Sequence, residues 1–141
     1  MERIIKKAVD MEHYLTDACI VWCFDDRFSS LLTKIIKERK MKHIDLVKIA
    51  GGAKPLAGKG GAERDFLISQ IAASVKLHHP PILILMTHSD CGAYNLKFRN
   101  SSEEIEFYTS ELSRARETAV KSFPNLKVET LFADANGVVE V

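Results

Sequence analysis

The sequence has few cysteines and no long hydrophobic run, and both absences limit what kind of protein it encodes. Its 141 residues include only three cysteines, too few for the disulfide framework of a small secreted domain. No apolar stretch approaches the roughly 18 residues of a membrane span, and the first residues lack the apolar core of a signal peptide. We therefore expect a cytoplasmic protein whose cysteines serve metal binding or catalysis.

An excess of charge of either sign is also missing. Twenty lysines and arginines against 19 aspartates and glutamates leave a formal net charge of +1. Proteins that bind nucleic acid or an anionic membrane usually show a basic excess, so we expect neither partner. No low-complexity tract, internal repeat or Pro-, Gly- or Ser-rich linker interrupts the chain. These features predict a single domain over residues 1–141.

Segments typical of buried strands alternate with segments typical of amphipathic helices. The predicted strands are 18–24, 44–50, 82–86 and 126–133, and the predicted helices are 30–40, 63–78 and 103–121. A turn at Asn136-Gly137 predicts a short antiparallel edge strand over 138–141. We therefore predict an α/β fold, an open doubly wound sheet of four parallel strands in the order 2-1-3-4 with helices on both faces. Residues 1–15 are expected to form a helical arm that contacts a second subunit.

Two of the predicted strands end in polar clusters. Cys23, Asp25 and Arg27 follow the first strand, and His88 and Cys91 follow the third. If these strands are neighbours, both clusters lie at the carboxyl edge of the sheet, where sites form in open α/β sheets. Two thiolates and one imidazole suit zinc better than magnesium or calcium, and three protein ligands leave a fourth position for chemistry. We predict a zinc ion bound by Cys23, His88 and Cys91.

Asp25 and Arg27 form the second part of the predicted site. A carboxylate two residues from a zinc thiolate can coordinate the metal or orient zinc-bound water, and Arg27 can hold that carboxylate in place. Asp25 would then act as a gate and would be a metal ligand in the closed state only. Taken singly, such residues more often belong to the core or to a surface ion pair. Their position at the ends of two strands favours the metal site.

The paired motifs resemble the signature of the β-class carbonic anhydrases. The resemblance consists of Cys23-x-Asp25-x-Arg27 followed by His88-x-x-Cys91-Gly92, with Gly51-Gly52 similar to an Ala-Gly-Gly stretch that lines the family's pocket. It implies a homodimer or higher homo-oligomer with active sites near the subunit interface. It also implies zinc as cofactor, Asp25 and Arg27 as catalytic residues, and Gly51, Gly52 and Gly92 in the substrate pocket.

The function that this resemblance implies is the hydration of carbon dioxide to bicarbonate by zinc-bound hydroxide. The family's substrate-binding glutamine has no evident counterpart, because the only glutamine is Gln70 in the helix 63–78. Three alternatives therefore stay open. They are hydrolysis of carbon disulfide or carbonyl sulfide, a non-catalytic zinc protein closed by Asp25, and a redox protein that uses Cys23 and Cys91, which the absence of a Cys-x-x-Cys motif disfavours.

The Gly-rich segment 51–61 invites a different interpretation, a phosphate-binding loop. Its spacing disagrees with that motif, because five residues separate Gly52 from Gly58 and Gly60 stands where a Ser or Thr would bind magnesium. A flexible lid over the active site is the preferred prediction, with Lys54 or Lys59 available to attract an anion. Cys19 is expected in the core.

Overall fold

The computed structural model describes residues 2–141 and contains one five-stranded sheet. Its strands are β1 (Ala18–Cys23), β2 (Ile44–Ile49), β3 (Ile82–His88), β4 (Lys127–Asp134) and β5 (Gly137–Glu140). Their order is β2-β1-β3-β4-β5, with the first four parallel and β5 antiparallel to β4. The predicted sheet and its C-terminal edge strand are confirmed.

Four α-helices connect the strands within residues 2–141, and their ends follow local chemistry. They are α1 (Ser29–Glu38), α2 (Lys54–Ala57), α3 (Ala62–His78) and α4 (Ser101–Ser122). The side chain of Asn100 caps α4 by accepting a 2.9 Å hydrogen bond from the amide of Glu103. After α3, His79 adopts a left-handed conformation and Pro80 follows, which ends the helix.

The helices cover the two faces of the sheet, as predicted. Alternate residues of β1 and β3 point to opposite sides, because the side-chain period of a strand is two. One face packs under α2, α3 and α4, with Leu56, Leu67 and Leu112 fully buried. The other face packs under α1 and contains Trp22 and Leu32. Both faces of the central strands are therefore buried from solvent, which explains their almost uniformly apolar sequences.

The N-terminal arm differs from the prediction. No helix forms in the part of residues 2–15 that the structure describes, and Met1 lies outside the described residues. Side chains from Glu2 to His13 are exposed, so no tertiary contact offsets the cost of helix nucleation, and isolated helices of this length are marginal. The prediction of a helical arm is wrong because apolar residues alone do not stabilise a helix without a surface to pack on.

The arm is nevertheless fixed at its root. The hydroxyl of Tyr14 donates a 3.0 Å hydrogen bond to Asp45, and its ring packs 4.2 Å from the ring of His78. The amide of Thr16 donates to the carbonyl of His78 at 3.0 Å. These contacts lie at the amino end of β2, opposite the edge where the polar clusters follow β1 and β3.

The Gly-rich segment is only partly a loop. The predicted flexible lid is wrong for its first half, because residues 54–57 form α2 and Leu56 is fully buried. Pro55 lies in the first turn of this helix, where its missing amide costs nothing. Residues 58–61 are exposed.

Among the helices of residues 2–141, none combines the length and the apolar composition that a membrane crossing requires.

Candidate metal centre

The two polar clusters meet where the chain leaves the sheet in opposite directions. After β1 the chain crosses to β2 through α1 on one face, and after β3 it crosses to β4 through α4 on the other face. β1 and β3 are hydrogen-bonded neighbours. The switch point between them is the expected place for a site in a doubly wound sheet, and Cys23 and His88 are the last residues of these two strands.

Cys23, His88 and Cys91 form a compact buried group. Their ligand atoms all lie within 4.8 Å of one another, and none of the three residues is more than 5% exposed. The Nδ1 atom of His88 lies 2.8 Å from the carbonyl oxygen of Ser89 and donates to it in the neutral tautomer. Its buried Nε2 atom has no hydrogen-bond partner. An unpaired buried nitrogen beside two sulfurs is the arrangement that a metal ion would complete.

The electrostatics of the group favour a thiolate. A hydrogen bond from Cys91 holds the pKa of the Cys23 thiol well below its usual value, and His88 and the amide of Gly51 lower it further. The same contact with Cys23 raises the pKa of Cys91. A metal ion at this point would displace the thiol protons, because metals bind cysteine as the thiolate. Two sulfurs and an imidazole suit a borderline-soft divalent ion.

Asp25 is held close to this group by Arg27. Its Oδ2 atom lies 3.9 Å from Nε2 of His88. Arg27 donates from Nε to Oδ1 at 3.0 Å and from Nη2 to Oδ2 at 2.7 Å. This two-pronged pair lowers the pKa of Asp25 to about 2, so the carboxylate is ionised at neutral pH.

Three further residues at the site escaped the sequence analysis. Phe28 packs against the ring of His88 with centroids 4.4 Å apart, which fixes the imidazole from the side. Asp90 accepts from Arg27 at 3.1 Å. Glu104 at the start of α4 accepts from the hydroxyl of Ser89 at 2.9 Å. Phe28 and Asp90 are sequence neighbours of the predicted site residues Arg27 and Cys91, and this position was the one sequence feature that could have indicated their presence at the site.

A cavity of about 280 Å³ opens beside Cys23, Asp25 and Cys91, and Gly92 lines it with Phe24, Ala50 and Ala93. Gly51 and Gly52 are not among its lining residues. The amide of Gly51 donates a 3.3 Å hydrogen bond to the sulfur of Cys23. Gly52 packs against β3, where a Cβ atom would lie 2.3 Å from the carbonyl oxygen of Met86. The assignment of these glycines to a substrate pocket stays a prediction.

The lysines and the third cysteine have other neighbours. The ammonium group of Lys54 donates to the carbonyl oxygen of Ala93 and lies 5.1 Å from the ring centroid of Tyr94, so it joins α2 to the loop after Cys91. Lys59 is exposed. Cys19 is fully buried in the core, as predicted, and burial raises its pKa to about 11.

The sheet order and the buried cluster together define a doubly wound α/β protein with a candidate metal centre at its switch point. A family model described as "Putative carbonic anhydrase" matches residues 14–141. The chain therefore belongs to this carbonic anhydrase family, and the resemblance seen in the sequence motifs is confirmed.

Individual relatives are more distant. An uncharacterized protein of Rickettsia bellii (strain RML369-C) is 26% identical over 150 residues, covering 99% of this chain and 92% of the relative. The carbonic anhydrase of Streptococcus mutans has a TM-score of 0.56 at 16% identity, covering 96% of this chain and 87% of that chain. An apo carbon disulfide hydrolase has a TM-score of 0.50 at 16% identity, covering 89% of this chain and 79% of that chain. These structural likenesses concern the fold.

Proposed function

We propose that the protein is a zinc enzyme that hydrates carbon dioxide to bicarbonate. The observation that supports this most directly is the buried Cys23-His88-Cys91 group with a clamped carboxylate, Asp25, 3.9 Å from the free nitrogen of His88. Membership of a carbonic anhydrase family supports the same reaction. Bound zinc would supply a Lewis acid able to lower the pKa of coordinated water to about 7.

Each residue has a distinct task in this proposal. Cys23, His88 and Cys91 would bind the metal, and the carbonyl oxygen of Ser89 favours the tautomer of His88 that leaves Nε2 free to coordinate it. Asp25 would act as the gate: turned toward the metal it would block the fourth position, and held by Arg27, as in the structure, it would leave that position open. Because Arg27 offers a planar fork of donors, it returns the carboxylate to a defined place. The cavity lined by Gly92 receives the small linear substrate.

Stopped-flow hydration assays from acid to alkaline pH, with zinc content measured on the same samples, test this gate. We expect activity to rise with pH, because Asp25 gives up the fourth position as hydroxide becomes more abundant. Replacing Asp25 with Ala should leave zinc bound but lower kcat/KM by about 10- to 100-fold, as loss of an orienting group does at metal sites. Arg27→Ala should release the carboxylate toward the metal and move the rise to higher pH.

Asp26→Asn is the matched control, because the Asp26 carboxylate accepts from Ser29 while the side chain of Arg27 pairs with Asp25 and Asp90. Its profile should match that of the wild type. A wild-type profile that is flat across this pH range would contradict the gate, and a zinc-loaded wild type without activity at any pH would contradict carbon dioxide hydration.

One alternative reaction has specific support, hydrolysis of carbon disulfide or carbonyl sulfide, because a solved carbon disulfide hydrolase shares the fold. The same zinc-loaded sample separates the possibilities. Sulfide release without carbon dioxide hydration would favour the hydrolase. Bound zinc with neither activity would favour a non-catalytic protein closed by Asp25. A cytoplasmic location stays a prediction.

We further propose that the protein is a dimer or a higher homo-oligomer. Ile4, Ile5 and Val9 of the arm are exposed, and so are Phe66 and Leu77 on the outer side of α3. The arm leaves the body next to the end of α3, because Tyr14 packs on His78. Large apolar side chains left uncovered on the arm and on α3 are typical of protein interfaces.

Deleting residues 1–13 should therefore weaken assembly while keeping Tyr14 and the fold. Sedimentation at micromolar concentration should show about 32 kDa for the intact protein, twice the chain mass of 15.8 kDa, or a larger multiple, and a shift toward one chain for the truncated one. Glu2→Ala, which leaves the apolar residues of the arm in place, should sediment like the wild type. An intact protein that sediments as a single chain would contradict the proposal.

A further inference from the structure

Asp90 lies between two proposed metal ligands and has an unusual backbone conformation. Its φ is 51°, in the left-handed region that Asp and Asn tolerate better than most residues. Glu104 holds this conformation, because one carboxylate oxygen accepts from the amide of Asp90 at 2.8 Å and the other accepts from the hydroxyl of Ser89. The backbone of Asp90 is thereby fixed to the start of α4.

The side chain of Asp90 contacts the same guanidinium that clamps Asp25. Arg27 donates from Nη1 to Oδ2 of Asp90 at 3.1 Å and from Nη2 to its carbonyl oxygen at 3.1 Å. Asp25 takes the Nε and Nη2 edge of the same group. Arg27 thus lies between two carboxylates, one beside the metal group and one anchored through its backbone to α4.

This arrangement has a consequence for any movement of Asp25. If the carboxylate turns to the metal, Arg27 loses one partner. Its side chain is 57% exposed, so an unpaired guanidinium would gain rotamer freedom in solvent or follow Asp25. The Phe28 ring, 5.6 Å from the guanidinium carbon, offers a weaker cation–π contact at an exposed site. Asp90 is the charged partner that remains.

We propose that Asp90 is a positioning residue that keeps Arg27 in place while Asp25 moves between Arg27 and the metal. The inference rests on the proposed zinc site and adds a residue to its gate. Without Asp90, Arg27 would leave its place more readily, and Asp25 would spend more time on the metal. An external anion would then compete less well for the fourth position.

Azide binding to the cobalt-substituted protein at one fixed pH tests this inference, with the visible cobalt spectrum as readout. Asp90→Asn suits the left-handed backbone and removes the charge that faces Arg27. We expect its azide affinity to fall by roughly two- to fivefold, the size of an exposed ion pair, and its azide-free spectrum to shift toward that of a site with a bound carboxylate. Arg27→Lys, which cannot bridge both carboxylates, should shift affinity and spectrum in the same direction.

Lys97→Ala is the matched control, because Lys97 lies 3.8 Å from the other oxygen of Asp90 and is 92% exposed. It should bind azide like the wild type. If the wild type binds azide and Asp90→Asn binds it equally well with an unchanged spectrum, the role of Asp90 is refuted while the zinc site stands. If Asp90→Asn does not fold, Asp90→Gly, which also suits a left-handed backbone and removes the carboxylate, decides in the same way. A wild type that binds no cobalt would overturn the proposed function itself.

Discussion

Replacing Cys91 with Ser should remove most of the bound zinc and lower the melting temperature. A serine hydroxyl is a much poorer zinc ligand than a thiolate, and Cys23 and His88 alone would hold zinc weakly. A ligand present at 100 times its Kd stabilises the folded state by about 2.7 kcal/mol. For a chain of this size, loss of that term lowers Tm by roughly 10 °C. Metal analysis and thermal unfolding of the same sample measure both effects.

Cys19→Ser is the control for the chemistry of the substitution. Cys19 is also a buried free cysteine on β1, but it is not in the group that could hold a metal. This variant should retain about one zinc ion per chain, the count expected for a three-ligand site. Full zinc retention in Cys91→Ser would refute the assignment of the ligands.

Gly52→Ala should destabilise the fold more than any other single glycine substitution near the site. The φ of Gly52 is 56°, and an added Cβ would lie 2.3 Å from the carbonyl oxygen of Met86. The left-handed backbone alone costs a residue with a side chain about 1–2 kcal/mol. Relief of the clash also requires β3 to move, which would disturb the 3.0 Å hydrogen bond that the carbonyl oxygen of Met86 accepts from the amide of Ala53. We expect the free energy of unfolding to fall by more than about 4 kcal/mol. Denaturant unfolding measures this change, and a variant too unstable to purify would appear as loss of soluble protein.

Gly92→Ala is the matched comparison. An added Cβ at Gly92 meets no heavy atom within 4 Å, and its backbone is outside the left-handed region. The free energy of unfolding of this variant should lie within about 0.5 kcal/mol of the wild-type value, as for other substitutions without clashes, although the added methyl group narrows the cavity. Equal stability of the two alanine variants would show that β3 yields to the added atom.

The sequence was sufficient to predict the sheet because its central strands are buried on both faces. Such strands read as continuous apolar runs, so β1 and β3 stand out from their surroundings. Their ends then placed Cys23 and His88 at one edge. The structure brings these two residues together with Cys91, as the strand order required.

The arm and the Gly-rich segment could not be predicted in the same way. Apolar residues in the arm have no intramolecular surface to pack on, so their spacing indicates no secondary structure. In the segment 51–61, the glycines hid a short helix that forms because Leu56 reaches the core beside α4. Both outcomes depend on tertiary contacts, which local pattern does not contain.

The bridge from Arg27 to Asp90 was also beyond the sequence. The two residues are far apart in the chain, and their contact depends on the left-handed backbone of Asp90. That backbone in turn depends on Glu104 at the start of α4. The carboxylate of Asp90 therefore faces the guanidinium of Arg27 only when the segments after β1 and β3 and the start of α4 are all in place. A local sequence motif contains no information about such an arrangement.

The division of the proposed ligands between β1 and β3 has a consequence for the order of events in folding. Cys23 and His88 are separated along the chain by a complete crossover through β2 and α3. Closing so long a loop is entropically costly and is completed when the parallel strands pair. The three ligand atoms therefore converge only after the sheet has formed. A metal ion arriving then would slow unfolding far more than it would accelerate folding, because it stabilises contacts made late.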